Sequence, residues 1–85
     1  MSPRNILDGF ESLIGNLSID LRYEKGDFAG GLCRLPDKNI FIINNRLSIE
    51  NKIRLIASEL RSMDLNHIYI RPALRKIIDD EQDHF

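Results

Sequence analysis

The chain contains 85 residues, of which 42% are hydrophobic and 29% are charged, and its formal net charge is −1. This composition indicates one small globular domain with a thin margin of stability, and the balanced charge argues against a nucleic-acid partner, which needs a dense basic cluster. The longest apolar run, Ile40 to Ile43, is far shorter than the roughly 20 residues that cross a bilayer. The N-terminus also lacks the apolar core of a signal peptide, so we expect a cytosolic protein without a membrane segment.

The first half of the chain predicts a helix followed by three strands. Apolar residues recur at the spacing of one helix face over residues 4–15, and apolar and polar residues alternate over 18–24, as in a half-buried strand. A second short strand is predicted over 31–35 and a third over 39–44, with a proline-containing turn between them. The glycines near the second strand are typical of a hairpin turn and do not form a phosphate loop, since no Gly-Lys-Ser/Thr motif follows them.

The third predicted strand is apolar on both of its faces, from Ile40 to Ile43. Either protein covers both faces of this strand, or one face meets a partner chain. Because successive strands joined by tight turns are usually neighbours in a sheet, we predict that the three strands form an antiparallel meander.

The second half of the chain predicts two more helices. Ser48 is placed to cap a long helix with a continuous apolar stripe, and this helix is expected to end at 64–66. Residues 67–70 are predicted to be extended, because Pro72 disfavours a helical conformation in the residue before it, and Pro72 itself suits the start of a last helix. The acidic end, 79–85, is expected to be a frayed tail.

Together these elements predict an α+β fold with the order α-β-β-β-α-α. Each main helix has one apolar stripe that needs the sheet to cover it, so a single layer of sheet should be packed by helices. The whole chain, residues 1–85, is expected to form one domain.

The long helix carries the segment Ile56-Ala57-Ser58-Glu59-Leu60-Arg61-Ser62, which follows the three predicted strands. This layout resembles the core of the ImmA/IrrE-type zinc metallopeptidases, in which a helix and a small antiparallel sheet precede a helix with the motif Leu-Ala-His-Glu-Leu-Gly-His. The apolar third strand, which ends in Asn44, also looks like a strand of that family. The resemblance covers residues 4–63 and implies a zincin-like fold.

The resemblance fails at the residues that would bind zinc. Two imidazoles at i and i+4 share one helix face and can hold one ion, but Ser58 and Ser62 stand there, and hydroxyls are poor replacements for imidazoles. Glu59 would be the family's general base, and without zinc its water keeps too high a pKa for attack near neutral pH. The resemblance therefore implies a degenerate peptidase with no metal site and no cofactor. In the alternative interpretation, Glu59 is an ordinary solvated helix residue.

A looser resemblance links two blocks of the chain, 30–35 and 68–75, to small uncharacterised bacterial proteins, and it implies no activity. Cys33 is the single cysteine, so an internal disulfide is excluded. As a nucleophile Cys33 would need access, nearby cations and a histidine. We favour a buried strand residue instead, because free cysteine is among the most buried residue types.

Two functions from different classes remain open. We favour a non-catalytic interaction or oligomerisation module, because no complete catalytic set is present, and we expect a protein partner or a homodimer formed through a strand edge or a helix face. The alternative is a hydrolase that uses Glu59 with an unusual metal site, or thiol chemistry at Cys33. The candidate binding residues are Ser58, Glu59, Ser62, Ile40 and Ile42.

Overall fold

The computed structural model describes residues 2–80. Within this range the chain forms three α-helices and three β-strands, which confirms the predicted α+β class and the order α-β-β-β-α-α. The elements are α1 (Pro3–Asn16), β1 (Ile19–Glu24), β2 (Gly30–Arg34), β3 (Asn39–Asn44), α2 (Ile49–Arg61) and α3 (Pro72–Asp80).

The predicted antiparallel meander is wrong, because the sheet is mixed and has the strand order β1-β3-β2. β1 runs parallel to β3, from Ile19 opposite Asn39 to Glu24 opposite Asn44, whereas β2 and β3 pair antiparallel. The chain therefore leaves β1, crosses over the end of β3 and returns as β2 on the far side. The glycines that suggested a hairpin after β1 lie in this crossing segment, residues 25–29, and at the start of β2.

Asn44, the last residue of β3, holds the crossing segment in place. Its side chain is buried, and its amide nitrogen donates to the backbone carbonyls of Gly26 at 2.9 Å and Phe28 at 2.7 Å. Its amide oxygen accepts a hydrogen bond from the backbone N–H of Arg46 at 2.9 Å. Because Gly26 and Phe28 lie outside the β2–β3 ladder, these bonds satisfy carbonyls that would otherwise be unpaired.

α1 and α2 pack on one face of the sheet, where β3 presents Phe41 and Ile43, and α3 packs against these two helices. Ile40 and Ile42 alternate with them and point to the opposite face, which we call the outer face. Ile40 is only 8% exposed and yet lies outside the cluster that the helices form, and Ile42 is half-buried. The two-sided apolar pattern of β3 therefore marks the central strand of a sheet that has helices on one face. The fully buried large side chains of the core are Leu7, Phe10, Ile14, Phe41, Ile43, Ile56, Leu60 and Ile78.

Serine caps begin the two longer helices. The Ser2 hydroxyl accepts from the backbone N–H of Asn5 at 3.2 Å, and the Ser48 hydroxyl accepts from that of Asn51 at 3.1 Å, which confirms the predicted cap. The end predicted for α2 at 64–66 is one turn late, because the helix stops at Arg61.

Residues 67–70 were predicted to be extended; the structure has a turn at 66–67 and a bend at 68, and 69–70 have no regular secondary structure. α3 begins at Pro72, as predicted, and includes Asp79 and Asp80. These two residues of the predicted frayed tail are therefore helical, and residues 81–85 lie outside the described residues. In the part of the chain that is described, no helix combines the length and the apolar character that crossing a membrane requires.

A substitution at Gly30 tests the geometry of the start of β2. Gly30 has a φ of +133°, and a Cβ atom there would collide with the carbonyl oxygen of Ile42 and lie 2.9 Å from Leu55 Cδ2. We expect Gly30→Ala to lower the free energy of unfolding in urea by about 2 kcal/mol. Gly15→Ala is the matched control, because a Cβ atom there meets nothing within 4 Å. Equal stability of the two variants would contradict the strained start of β2.

Candidate functional site

The motif-like residues lie at the C-terminal end of α2. Ser58 and Glu59 are half-buried, and Ser62 is exposed at the helix C-cap. The Ser62 hydroxyl donates to the backbone carbonyl of Glu59 at 2.8 Å. The same carbonyl accepts the backbone N–H of Ser62 at 3.3 Å, so both groups of Ser62 bond to the end of the helix, which is a structural role.

The five predicted binding residues do not form one site. Ser58, Glu59 and Ser62 lie on α2, on the helix side of the sheet, whereas Ile40 and Ile42 point to the outer face. Across residues 2–80, no three side chains of His, Cys, Asp or Glu are grouped so that they could hold a metal ion.

Glu59 nevertheless reaches the sheet, because its carboxylate extends from α2 to β2. A Cβ atom at Gly31 would lie 3.1 Å from Glu59 Oε1, so the glycine leaves room for the carboxylate beside the strand. Within the described residues this half-buried carboxylate makes no ion pair and no hydrogen bond. A carboxylate is thus held next to the start of β2 without a neutralising partner among residues 2–80.

β2 is an edge strand, and one side of its backbone carries no partner strand in the described part of the chain. The N–H of Asn44 bonds to the carbonyl of Ala29, and the N–H of Leu35 bonds to the carbonyl of Lys38. Along an antiparallel ladder, residues that bond to the neighbouring strand alternate with residues whose backbone groups point away from it. The odd-numbered residues of β2 therefore bond to β3, and the even-numbered ones point their backbone groups away. The residues of this free edge of β2 are Gly30, Leu32 and Arg34.

Cys33 was expected to be buried, and this prediction is wrong, because the thiol is exposed. Cys33 pairs with Ile40 across the ladder, so its side chain shares the outer face of the sheet with that residue. An edge strand without a helix over its outer face cannot bury a side chain there, which explains the difference.

A shallow apolar cavity of about 350 Å³ runs along β2. It is bounded by the outer-face side chain of Ile42 and by Phe28, whose ring is 40% exposed. Exposed aromatic and aliphatic groups beside unpaired backbone groups are the two features that a docking strand uses. The residues that line the cavity are Phe28, Ala29, Gly30, Gly31, Leu32, Cys33 and Ile42.

A larger open groove of about 530 Å³ lies between α1 and the segment that leads into α3. Its polar side chains, which include Asp8 and Arg71, are exposed, so water satisfies them without a ligand. Arg71 lies against the backbone of α1, since a Cβ atom at Gly9 would be 2.9 Å from its guanidinium nitrogen. The groove gathers no buried polar group that a ligand would be needed to pair.

Tyr23 is the one described side chain with a clearly displaced pKa. Burial raises the pKa of Tyr23 above its ordinary value, and the hydrogen bond from its hydroxyl to the Glu11 carboxylate and the charge of Glu11 raise it further. The Lys52 ammonium lies 5.3 Å from the centre of the same ring. Tyr23 lines neither of the two cavities, and its contacts join β1 to α1 and α2. We therefore assign it a structural role.

The residues of the free edge were not among the sequence candidates. Arg34 and Gly30 have no chemistry that distinguishes them in the sequence, and their significance arises from the strand order. The apolar pattern on both faces of β3 was the available signal, because it is typical of a central strand and would place β2 at an edge.

The Tyr23 hydroxyl should stabilise the fold at neutral pH and lose this effect in base. A raised folded-state pKa means that the contribution is complete below the ordinary value of about 10 and declines as the pH rises further. We expect Tyr23→Phe to lower the free energy of unfolding by about 1 kcal/mol near pH 7, with a smaller difference from the wild type above pH about 10. Tyr69→Phe, at a side chain that is 79% exposed, is the control. A difference that grows with pH would contradict the assigned contact.

Comparisons with known proteins do not extend this description. No family model matches the chain, no curated protein matches it, and no solved structure matches it. Any function assigned to the protein therefore rests on the geometry described above.

Proposed function

We propose that the protein is a non-catalytic interaction module that binds an extended segment of a partner protein as an additional strand on β2. The observation that carries this proposal is the free edge of β2, where Gly30, Leu32 and Arg34 direct their backbone N–H and C=O groups away from β3. A row of unpaired backbone groups on an edge strand is a template for pairing with another chain.

The surroundings of the edge support the same proposal. Proteins protect exposed edges with prolines, inward-pointing charges or a covering helix, and β2 contains no proline and carries one charged residue, Arg34. The apolar cavity next to the edge would receive alternate side chains of an added strand. Main-chain bonds along the edge would supply affinity, and the contacts with Phe28 and Ile42 would supply selectivity.

The contacts of α2 make a hydrolase the less favoured alternative. The resemblance to zinc peptidases places the metal ligands at Ser58 and Ser62, and the Ser62 hydroxyl is bonded to the carbonyl of the helix itself. Glu59 remains as a carboxylate beside an edge strand, and we assign it a part in binding. Zinc retained by the purified protein and lost on Glu59→Gln, with peptide turnover, would favour the hydrolase.

The proposal includes a cytosolic location and a protein, not a nucleic acid, as the partner. The five binding residues predicted from the sequence differ in their distance from the free edge and so in their part in the proposal. Glu59 and Ile42 lie beside the edge, and Ile40 pairs with Cys33 on the outer face. Ser62 bonds to the end of α2, and Ser58 is a half-buried residue of that helix.

A proline at position 34 tests strand addition directly. The Arg34 N–H points away from β3, so Arg34→Pro removes an edge donor while the ladder with β3 is kept. Peptides selected from a random library on the wild-type protein should bind this variant about tenfold more weakly or worse, because a backbone hydrogen bond is lost and the ring obstructs the edge.

Arg34→Ala is the matched control, because it removes the same side chain and keeps the N–H. Selected peptides should bind it within about threefold of the wild type. Equal binding by the proline variant, with circular dichroism showing an intact fold, would refute strand addition at β2.

A further inference from the structure

We infer that the strand that pairs with the free edge of β2 is β2 of a second copy of this chain, antiparallel and centred on Leu32. This inference rests on the proposed function and names its partner. Two copies would then share one continuous sheet, in which the two β2 strands lie next to each other at a two-fold axis.

The directions of the backbone N–H and C=O groups along β2 permit this pairing. A two-fold axis at Leu32 places Leu32 opposite its own copy and Gly30 opposite the second copy of Arg34. All three residues direct their N–H and C=O groups to the free edge, so each opposed pair can exchange both backbone hydrogen bonds. Two copies of β2 can therefore satisfy each other's free backbone groups in this register.

The side chains along β2 are also complementary to themselves. The strand begins with Gly30 and Gly31 and ends with Cys33 and Arg34. In the antiparallel arrangement each glycine of one copy faces one of the larger residues of the other copy. Leu32 at the axis is therefore the one position of β2 at which two large side chains are opposed, and the other pairs leave no cross-strand crowding.

Charge complementarity is the argument that favours a second copy over an unrelated strand. The Glu59 carboxylate lies beside Gly31 and has no partner within residues 2–80. The exposed Arg34 guanidinium, at the other end of the strand, likewise has no ion pair or hydrogen bond within the described range. Pairing across the two-fold axis brings Arg34 of one copy opposite Gly30 of the other copy, one residue from the Gly31 that the Glu59 carboxylate lies beside, and it does so at both ends of the interface.

The interface built in this way is small. A strand of five residues with its flanking side chains is shorter than the contact that a permanent dimer needs, so we expect reversible association that depends on concentration. The ion pairs lie at the rim of the interface, and their contribution should decrease as salt is added.

Charge reversal provides the test, with sedimentation equilibrium at low salt as the measurement. Arg34→Glu and Glu59→Arg should each weaken self-association by about tenfold or more, since each places like charges together at both ends. The double variant Arg34→Glu/Glu59→Arg restores opposite charges and should return to within a few-fold of the wild type. Lys76→Glu, an exposed site on α3 with the same change in charge as Arg34→Glu, should associate like the wild type.

Two results would overturn self-pairing: a wild-type protein that stays monomeric at high concentration, or a double variant that associates no better than the single ones. If the wild type is monomeric while Arg34→Pro still abolishes peptide binding, self-pairing fails and the proposed function stands. If the wild type associates but neither the Arg34→Pro variant nor the charge reversals change association or peptide binding, both fail.

Discussion

The fold depends on how the chain crosses the end of its central strand. β1 and β3 are parallel, so the segment between β1 and β2 must pass over the last residue of β3. At the end of this segment Ala29 already accepts the Asn44 N–H of β3, whereas the carbonyls of Gly26 and Phe28 need other donors. The Asn44 amide supplies them at Gly26 and Phe28, while its oxygen accepts the Arg46 N–H at the start of the turn that leads to α2. One buried amide therefore couples the strand order to the position of the helix.

The strand order determines which surfaces are available for binding. With β3 in the centre, its Phe41 face receives the helices and its Ile42 face stays partly open. β2 becomes an edge, which exposes Cys33 and leaves the backbone groups of Leu32 without partners in residues 2–80. In a chain this short the buried core gives a small margin of stability, so pairing at the edge would stabilise the fold by mass action.

Local features of the chain were predictable, and the long-range pairing was not. The N-cap at Ser48 and the start of α3 at Pro72 were predicted from preferences that act within one helical turn, and the structure confirms both. The meander was wrong because glycines near residue 30 suit a crossing segment as well as they suit a hairpin. Nothing within the first two strands distinguishes the two connections, and the decisive contact joins Gly26 to Asn44, which are distant in sequence.

The candidate site shows the same division between local and long-range information. Glu59 was noted for a catalytic resemblance, and its observed position beside Gly31 supports a different role in binding. Ile42 was noted for its apolar character, and it lines the cavity next to the edge. Arg34 could not have been identified, because its backbone direction depends on the register between β2 and β3.

Amide hydrogen exchange of the monomer, at a concentration where sedimentation shows no association, tests the strand order most directly. The structure predicts alternation along β2: the N–H groups of Gly31 and Cys33, bonded to β3, should exchange slowly, and those of Leu32 and Arg34 should exchange far faster. Uniformly slow exchange at all four residues in the monomer would show that β2 has a strand on each side, and it would contradict the free edge and the proposals that rest on it.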